Sequence, residues 1–329
     1  MSAQLTADPR PEVVDAVGGD LRVVALGGGH GLAANLSALR SFCTQLTAVV
    51  TVADNGGSSG RLRQEFGVLP PGDLRQALAA LCRDDEWGRT WARLLQHRFE
   101  TAGALHDHAV GNLLIVALWE LLDGHVEGLD WVGRLLGAQG RVLPMAAVPL
   151  DIEARVRGAD GSGPDELTTV RGQTAVATTT GMVESVQLVP DAPPACAEAI
   201  AAVTAADWVI LGPGSWYTSV LPHLLVPDLR SAITAAPGQL CVTLNLEPQQ
   251  GETAGFSPCT YLEVLALHAP DLTIDVVLAD SSSVVDMPML EDSVHGLGGE
   301  LVLADVAASD GSARHDTSRL AAAYQKIMR

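Results

Sequence analysis

The chain has 329 residues and a formal net charge of −19, with 47% hydrophobic and only 4% aromatic residues. This charge argues against nucleic acid or anionic membranes as partners, because their phosphates would be repelled. No apolar stretch is long enough to span a membrane. The five cysteines are odd in number and form no C-x-x-C pair, which favours reduced thiols and a cytoplasmic location.

The predicted elements begin after a polar, acidic lead, which we expect to be disordered over 1–20 and to precede a single domain over 21–329. Apolar runs alternate with helical patterns, which predicts an α/β fold with a Rossmann-like, mostly parallel sheet and helices on both faces. A helical segment is predicted over 73–139, with Asp73 as an N-cap. Period-two alternation predicts a small antiparallel β insertion over about 141–190. A terminal helix is predicted from near Asp316.

The segment "GGGHG" lies between the first predicted strand and the first helix. Its glycines permit positive φ and a close approach of the backbone to an oxyanion, and the helix N-terminus adds free N–H groups. We therefore predict a phosphate site at Gly28, Gly29, His30 and Gly31, and expect Gly29→Val to abolish binding. The alternative is a tight turn without a ligand.

Two known phosphate-binding motifs can be compared with this loop, the dinucleotide fingerprint and the Walker loop. "GHGLAA" fits the G-x-G-x-x-A dinucleotide pattern, with Asp54 about 20 residues further on. A Walker loop is excluded, because no G-K-[ST] occurs and the only lysine is Lys326.

A second glycine-rich loop, "DNGGSSGR", follows the next apolar run. Asp54 and Asn55 are candidates to cap a turn, hold a sugar hydroxyl or ligate a cation. Arg61 is a candidate to bind two phosphate oxygens, or alternatively belongs to a solvated helix start. The loop also offers two candidate hydroxyl contacts, Ser58 and Ser59.

Loops that follow parallel strands converge at one edge of a sheet. "GGGHG", "DNGGSSGR", "GPGSWYTS" and "NLEPQQGET" are expected to meet in this way.

Together with "HAVGNLL", "QGRVLP" and "QGET", these motifs resemble the YvcK-type gluconeogenesis factors, which belong to the 2-phospho-L-lactate transferase superfamily (the CofD-like fold). The resemblance covers essentially all of the chain after residue 20. It implies a nucleoside diphosphate in the cleft, which is UDP-N-acetylglucosamine in the gluconeogenesis-factor branch and a guanosine nucleotide in the transferase branch.

The resemblance also implies further site residues. The backbone of Gly212, Gly214 and Ser215 would hold base and ribose, His108 and Asn112 match a Gly-His…Gly-Asn pattern, and Arg314 matches an arginine that reaches the ligand. The chain departs from the family at two positions. His30 replaces a threonine, and Asn55 replaces a second aspartate, which disfavours a transferase-type cation.

The leading hypothesis is a non-catalytic, cytoplasmic protein that binds UDP-N-acetylglucosamine and supports morphogenesis and cell-wall synthesis during gluconeogenic growth. It needs no cofactor or metal. Its expected partners are cell-wall synthesis proteins and further copies of itself. The sequence has no P-loop lysine, no Ser/His/Asp order and no paired carboxylates in one motif. One alternative is a CofD-like transferase with Mg²⁺ at Asp54, and a weaker one is an NAD-dependent oxidoreductase.

Overall fold

The computed structural model describes residues 21–122, 124–159, 161–249 and 251–329, so the lead predicted over 1–20 lies outside it. The described strands are β1 (Arg22–Gly27), β2 (Gln45–Val50), β3 (Arg141–Pro144), β4 (Asp151–Arg157), β5 (Leu167–Arg171), β6 (Met182–Val189), β7 (Trp208–Leu211), β8 (Gln239–Thr243), β9 (Val276–Asp280) and β10 (Glu300–Ala304).

The described α-helices are α1 (Gly29–Leu39), α2 (Gly57–Phe66), α3 (Pro71–Ala80), α4 (Glu86–Gln96), α5 (Val110–Leu122), α6 (His125–Leu136), α7 (Gln173–Ala177), α8 (Ala197–Ala205), α9 (Pro227–Ala235), α10 (Pro258–His268), α11 (Met287–Gly296) and α12 (Thr317–Ile327). A π-helical turn, Trp216–Val220, and a 3-10 segment, Leu221–Leu225, follow β7. No helix in the described ranges is both long and apolar enough to cross a membrane.

The main sheet has seven parallel strands in the order β3-β2-β1-β7-β8-β9-β10. The order reverses between β1 and β7, which creates a switch point where the two following loops diverge and leave a crevice. The predicted Rossmann-like α/β fold is therefore confirmed.

The central strands are buried on both sides, as expected for a parallel sheet covered by helices. Every residue of β7 is buried, and so are five of the six residues of β1. Helix α1 packs on α3 and α12, whereas α8 packs on α9. Leu32, Leu36 and Leu39 of α1 are all buried, which confirms the apolar helical face expected for this segment.

The antiparallel insertion is smaller than predicted. Strands β4, β5 and β6 form a separate three-stranded sheet in the order β5-β4-β6. Strand β3 instead joins the main sheet in parallel with β2, so the prediction that the insertion starts at about residue 141 is wrong. The predicted helical segment consists of α3 to α6 and is interrupted by a loop over 97–109.

Candidate functional site

A cavity of about 710 Å³ opens at the switch point. The loops after β1, β2, β7 and β8 meet there, which confirms the predicted convergence of four loops. Its described lining residues are Gly28, Gly29, His30, Gly31, Ala34, Asp54, Asp73, Gln76, Gln173, Pro213, Gly214, Ser215, Ser219, Asn245, Leu246, Glu247, Pro248, Gln249, Ala313, Arg314 and His315.

The glycines of the first loop have different roles. Only Gly29 has a positive φ, +57°, and a side chain there would meet open space. Gly28 is extended, but a Cβ atom there would lie 2.4 Å from Cγ2 of Thr51. A Cβ atom at Gly31 would lie 2.3 Å from the carbonyl oxygen of Pro213. The sequence permits positive φ at each of these glycines, but only Gly29 adopts it, and Gly28 and Gly31 are required for close packing instead.

Asp73 is not the N-cap that the sequence predicted. Helix α3 begins at Pro71 after Pro70, so Asp73 lies within its first turn. Its carboxylate lies beside Gly28 and the N–H of Gly29, at the N-terminus of α1, and a Cβ atom at Gly28 would lie 2.6 Å from Oδ2 of Asp73. Burial and the charge of Asp54 raise the pKa of Asp73 to about 7. A carboxylate of this chain therefore already occupies part of the predicted phosphate site.

Asp54 closes a turn and also faces the cavity. Its Oδ1 atom accepts a hydrogen bond of 2.9 Å from the N–H of Gly56, as a short polar side chain after a strand commonly does. A Cβ atom at Gly72 would lie 2.9 Å from Oδ2 of Asp54, so the glycine lets α3 approach this carboxylate. The sequence therefore brings Asp54 and Asp73 together from separate motifs.

The loop after β7 is tied to both of its neighbours. Asn35 of α1 donates a 2.9 Å hydrogen bond to the carbonyl oxygen of Gly212. Asn245, which follows β8, exchanges two hydrogen bonds with the backbone of Gly214, at 3.0 Å and 2.8 Å. Ser215 donates to Oε1 of Gln249 at 2.9 Å. These hydrogen bonds hold Gly214 and Ser215 in place at the cavity, whereas Gly212 does not belong to the described lining.

Three predicted site residues lie together but behind the cavity lining. Ser58 is hydrogen-bonded to Nδ1 of His108 at 3.0 Å, and it accepts bonds from the N–H of Ala109 and from Nδ2 of Asn112. With both lone pairs used, the hydroxyl of Ser58 donates its hydrogen to His108. Burial lowers the pKa of His108, consistent with a neutral ring. Asn112 in turn accepts a bond from the buried Arg75, at 2.8 Å.

The remaining predicted residues have other partners. Oδ1 of Asn55 accepts a 3.1 Å hydrogen bond from the N–H of Thr174 and so fixes the start of α7. Ser59 is buried against Gly72. Arg61 donates to the carbonyl oxygen of His106 at 2.7 Å. None of these three predicted residues belongs to the described lining of the cavity.

Arg314 does line the cavity, near the end of the loop between β10 and α12. It is exposed and pairs with Asp310 at 3.2 Å. Several further lining residues could not be predicted from the sequence. Their positions in the cavity depend on tertiary structure, although Asn245 and Gln249 lie in the motif "NLEPQQGET". These further lining residues are Asp73, Gln76, Gln173, Ser219, Asn245, Gln249 and His315.

The comparisons with known proteins agree with this architecture. The family model described as 2-phospho-L-lactate transferase CofD matches residues 23–313. The chain belongs to the CofD family. The family resemblance inferred from the motifs is thereby confirmed.

Relatives in the CofD family match over most of their length. A protein of Mycobacterium tuberculosis (strain ATCC 25618 / H37Rv) named "Putative gluconeogenesis factor" is 51% identical over 93% of this chain and 90% of its own. The "Gluconeogenesis factor" of Listeria monocytogenes is 35% identical over 93% and 95% of the two chains. A crystal structure of a UPF0052-family protein from Bacillus halodurans aligns with a TM-score of 0.81 and 31% identity, and it covers 92% and 98% of the two chains.

The charges around this CofD-family cavity are unbalanced. Three carboxylates line it, from Asp54, Asp73 and Glu247, and Arg314 is the one arginine among the described lining residues. Half of the other polar lining side chains are uncharged carboxamides, from Gln76, Gln173, Asn245 and Gln249, and the rest are two serines and two histidines. The cavity can therefore hydrogen-bond a neutral polyhydroxylated group, and it can accept a diphosphate only where the α1 N-terminus, Arg314 or a cation offsets the carboxylates.

Proposed function

We propose that the protein binds UDP-N-acetylglucosamine in the switch-point cavity and acts in the cytoplasm as a sensor that supports cell shape and cell-wall synthesis during gluconeogenic growth. The proposal builds on the names of its relatives and on the chemistry of the cavity. In it, the ligand shifts a conformational equilibrium or a partner surface and is not consumed. Self-association and contact with cell-wall synthesis proteins are parts of the same proposal.

The observation that carries the proposal is the mixed character of the cavity. The N-terminus of α1 and Arg314 supply favourable sites for phosphate oxygens. Carboxamides contributed by α3, α7 and the loop after β8 supply paired donors and acceptors, which suit the hydroxyl and acetamido groups of a sugar. A volume of about 710 Å³ is in the range of small-molecule sites.

One observation favours a second candidate, a Mg²⁺-dependent transferase of the CofD type. Asp54 and Asp73 face each other closely enough for the charge of one to raise the pKa of the other. Two carboxylates completed by diphosphate oxygens form a donor set that suits Mg²⁺. The site therefore fits this ion, although Asn55 lacks a charge. When bound, Mg²⁺ would neutralise charge on the phosphates.

Thermal unfolding with three ligands separates the candidates. A ligand at 100 times its Kd stabilises the folded state by about 2.7 kcal/mol. We expect this stabilisation with UDP-N-acetylglucosamine. Stabilisation by GDP with Mg²⁺ but not by the UDP-sugar would support the transferase, and stabilisation by NAD alone would support an oxidoreductase.

The matched variants are Arg314→Ala, which removes the cavity arginine, and Arg319→Ala, which removes an arginine outside the described lining. Arg319 donates to the carbonyl oxygen of Ala307 on the same loop. We expect only the first variant to lose the ligand-induced stabilisation. An equal loss in both would mean that the effect acts through the loop and not through phosphate binding.

A further inference from the structure

A glutamate of the "QGET" motif is buried beneath the floor of the cavity. Glu252 is 2% exposed, and neither of its carboxyl oxygens has a hydrogen-bond partner among the described residues. It is not part of the cavity lining. An isolated buried carboxylate is costly, so a residue of this kind needs a physical explanation.

The polar groups that face Glu252 belong to residues 215–218, of which Ser215 lines the cavity. They are the hydroxyl groups of Ser215 and Thr218 and the backbone amides of Tyr217 and Thr218. The hydroxyl of Thr218 also has no partner among the described residues. Glu252 is therefore the acidic group beneath the turn 215–218, which carries the cavity residue Ser215.

The direction in which the Ser215 hydroxyl donates its hydrogen determines which protonation state of Glu252 can form a hydrogen bond with it. A serine hydroxyl has one hydrogen and two lone pairs. Ser215 uses its hydrogen toward Gln249, at 2.9 Å, so it presents lone pairs to Glu252. An ionised Glu252 carboxylate has no hydrogen to donate, so its lone pairs would repel those of Ser215. A protonated carboxyl group can donate a hydrogen bond to Ser215 and still accept from the amides.

Hydrogen bonds also fix the residues on either side of Glu252 in the chain. The N–H of Gln249 donates to the hydroxyl of Thr253 at 2.9 Å, and that hydroxyl lies 3.1 Å from the hydroxyl of Tyr261. Gln249 and Glu252 thus both face the 215–218 turn. We propose that Glu252 is a positioning residue: as a neutral carboxyl group, it holds the 215–218 turn in the geometry that binds the ligand.

This inference rests on the proposed function, because it assigns Glu252 to the same ligand site. Burial raises the pKa of Glu252 and outweighs the opposite effect of the facing hydroxyl and amide groups, and this net direction supports the neutral form. The ionisable groups that face it are the phenols of Tyr217 and Tyr261. Burial raises the pKa of both phenols, so neither ionises near neutral pH.

The test compares Glu252→Gln, Glu252→Ala and the wild type. Glutamine keeps a donor group and an acceptor oxygen in nearly the shape of a neutral carboxyl group, whereas alanine removes both. We expect Glu252→Gln to bind UDP-N-acetylglucosamine within about twofold of wild type and Glu252→Ala to bind at least about tenfold more weakly. Val203→Ala, a buried change in α8 remote from the cavity, controls for loss of stability alone.

A pH profile adds a readout that a purely structural role would not change. The affinity of the wild type should fall as pH rises through the raised pKa of Glu252, and Glu252→Gln should lack this component. Asp73 and His315, which also line the cavity and titrate, remain in both proteins, so their contribution cancels in the comparison. Identical profiles for the two proteins, or equal weakness of both variants, would overturn the inference.

Amide hydrogen exchange over residues 212–220 tests the same inference without a ligand. We expect Glu252→Ala to exchange at least about tenfold faster there and Glu252→Gln to exchange at the wild-type rate. If the wild type binds no UDP-N-acetylglucosamine but shows this exchange pattern, the proposed ligand is wrong and the positioning role stands. Unchanged exchange in Glu252→Ala would overturn the positioning role.

Discussion

The folded protein disfavours the ionised form of the Asp73 side chain, because burial removes its carboxyl group from water. Its pKa is about 7 in the folded state, against an ordinary value of 3.8. Between these values the folded protein retains a proton that the unfolded chain has lost. The free energy of unfolding therefore decreases as pH rises from about 4 to about 7.

Asp73→Asn should remove this pH dependence, because asparagine keeps an acceptor oxygen beside the N–H of Gly29 but never ionises. A shift of about three pKa units corresponds to at most about 4 kcal/mol. We expect the variant to be more stable than wild type at about pH 8, by up to this amount, and equally stable at about pH 4. Urea denaturation at both pH values measures the difference. Asp310→Asn, at an exposed site, should not reproduce it.

The glycines at 29 and 31 should respond differently to alanine. At Gly31 the new Cβ would collide with the backbone of Pro213 and push α1 away from the loop after β7, so we expect a loss of about 1–3 kcal/mol in stability and of most ligand binding. At Gly29 the Cβ has space, and only the positive φ is unfavourable, by about 1–2 kcal/mol. Unfolding curves with and without ligand check both; retained binding in Gly31→Ala would contradict this account.

Helix α2 is anchored by the buried hydroxyl groups of Ser58 and Ser59 as well as by the buried side chain of Leu62. Removing the hydroxyl of Ser58 leaves His108, the N–H of Ala109 and Asn112 without a shared partner. We expect Ser58→Ala to lower the free energy of unfolding by about 2–3 kcal/mol while the ligand Kd changes less than about twofold. Ser37→Ala, which removes one bond within α1, is the matched control. A large loss of affinity would place Ser58 in the ligand site after all.

Elements with strong local patterns could be predicted from the sequence. The apolar run, the glycines and the leucines at 32, 36 and 39 fix β1 and α1 without help from the rest of the chain. Asp316 is the N-cap of α12, as expected, and accepts bonds from the N–H groups of Ser318 and Arg319. These signals are local, so the sequence contains them directly.

Elements that depend on a distant partner could not be predicted in this way. Strand β3 has four residues, and its alternation fits either sheet, so only pairing with β2 decides where it belongs. Asp73 has the local pattern of an N-cap, but the two prolines before it start the helix earlier. Gln173 reaches the cavity from the first turn of α7, which the distant Asn55 contacts through the N–H of Thr174.

At the scale of the whole molecule, the acidic surface and the anionic ligand oppose each other. The net charge of −19 creates a repulsive field, and three carboxylates in the cavity lining add to it locally. The contacts that favour phosphate are short-range: helix N-terminal amides and one arginine. Long-range repulsion is therefore more sensitive to salt than the attraction inside the cavity.

We accordingly expect UDP-N-acetylglucosamine to bind more tightly as salt increases, which is the reverse of the usual trend for an anion on a basic site. Raising ionic strength from about 10 mM to about 150 mM shortens the Debye length from about 30 Å to about 8 Å, which removes most of the long-range term. Calorimetric titration should show a severalfold lower Kd at the higher salt, and uridine, which has no phosphate, should show no change. Weaker binding of the UDP-sugar at higher salt would mean that attraction by Arg314 and the α1 N-terminus exceeds the repulsion from the rest of the molecule.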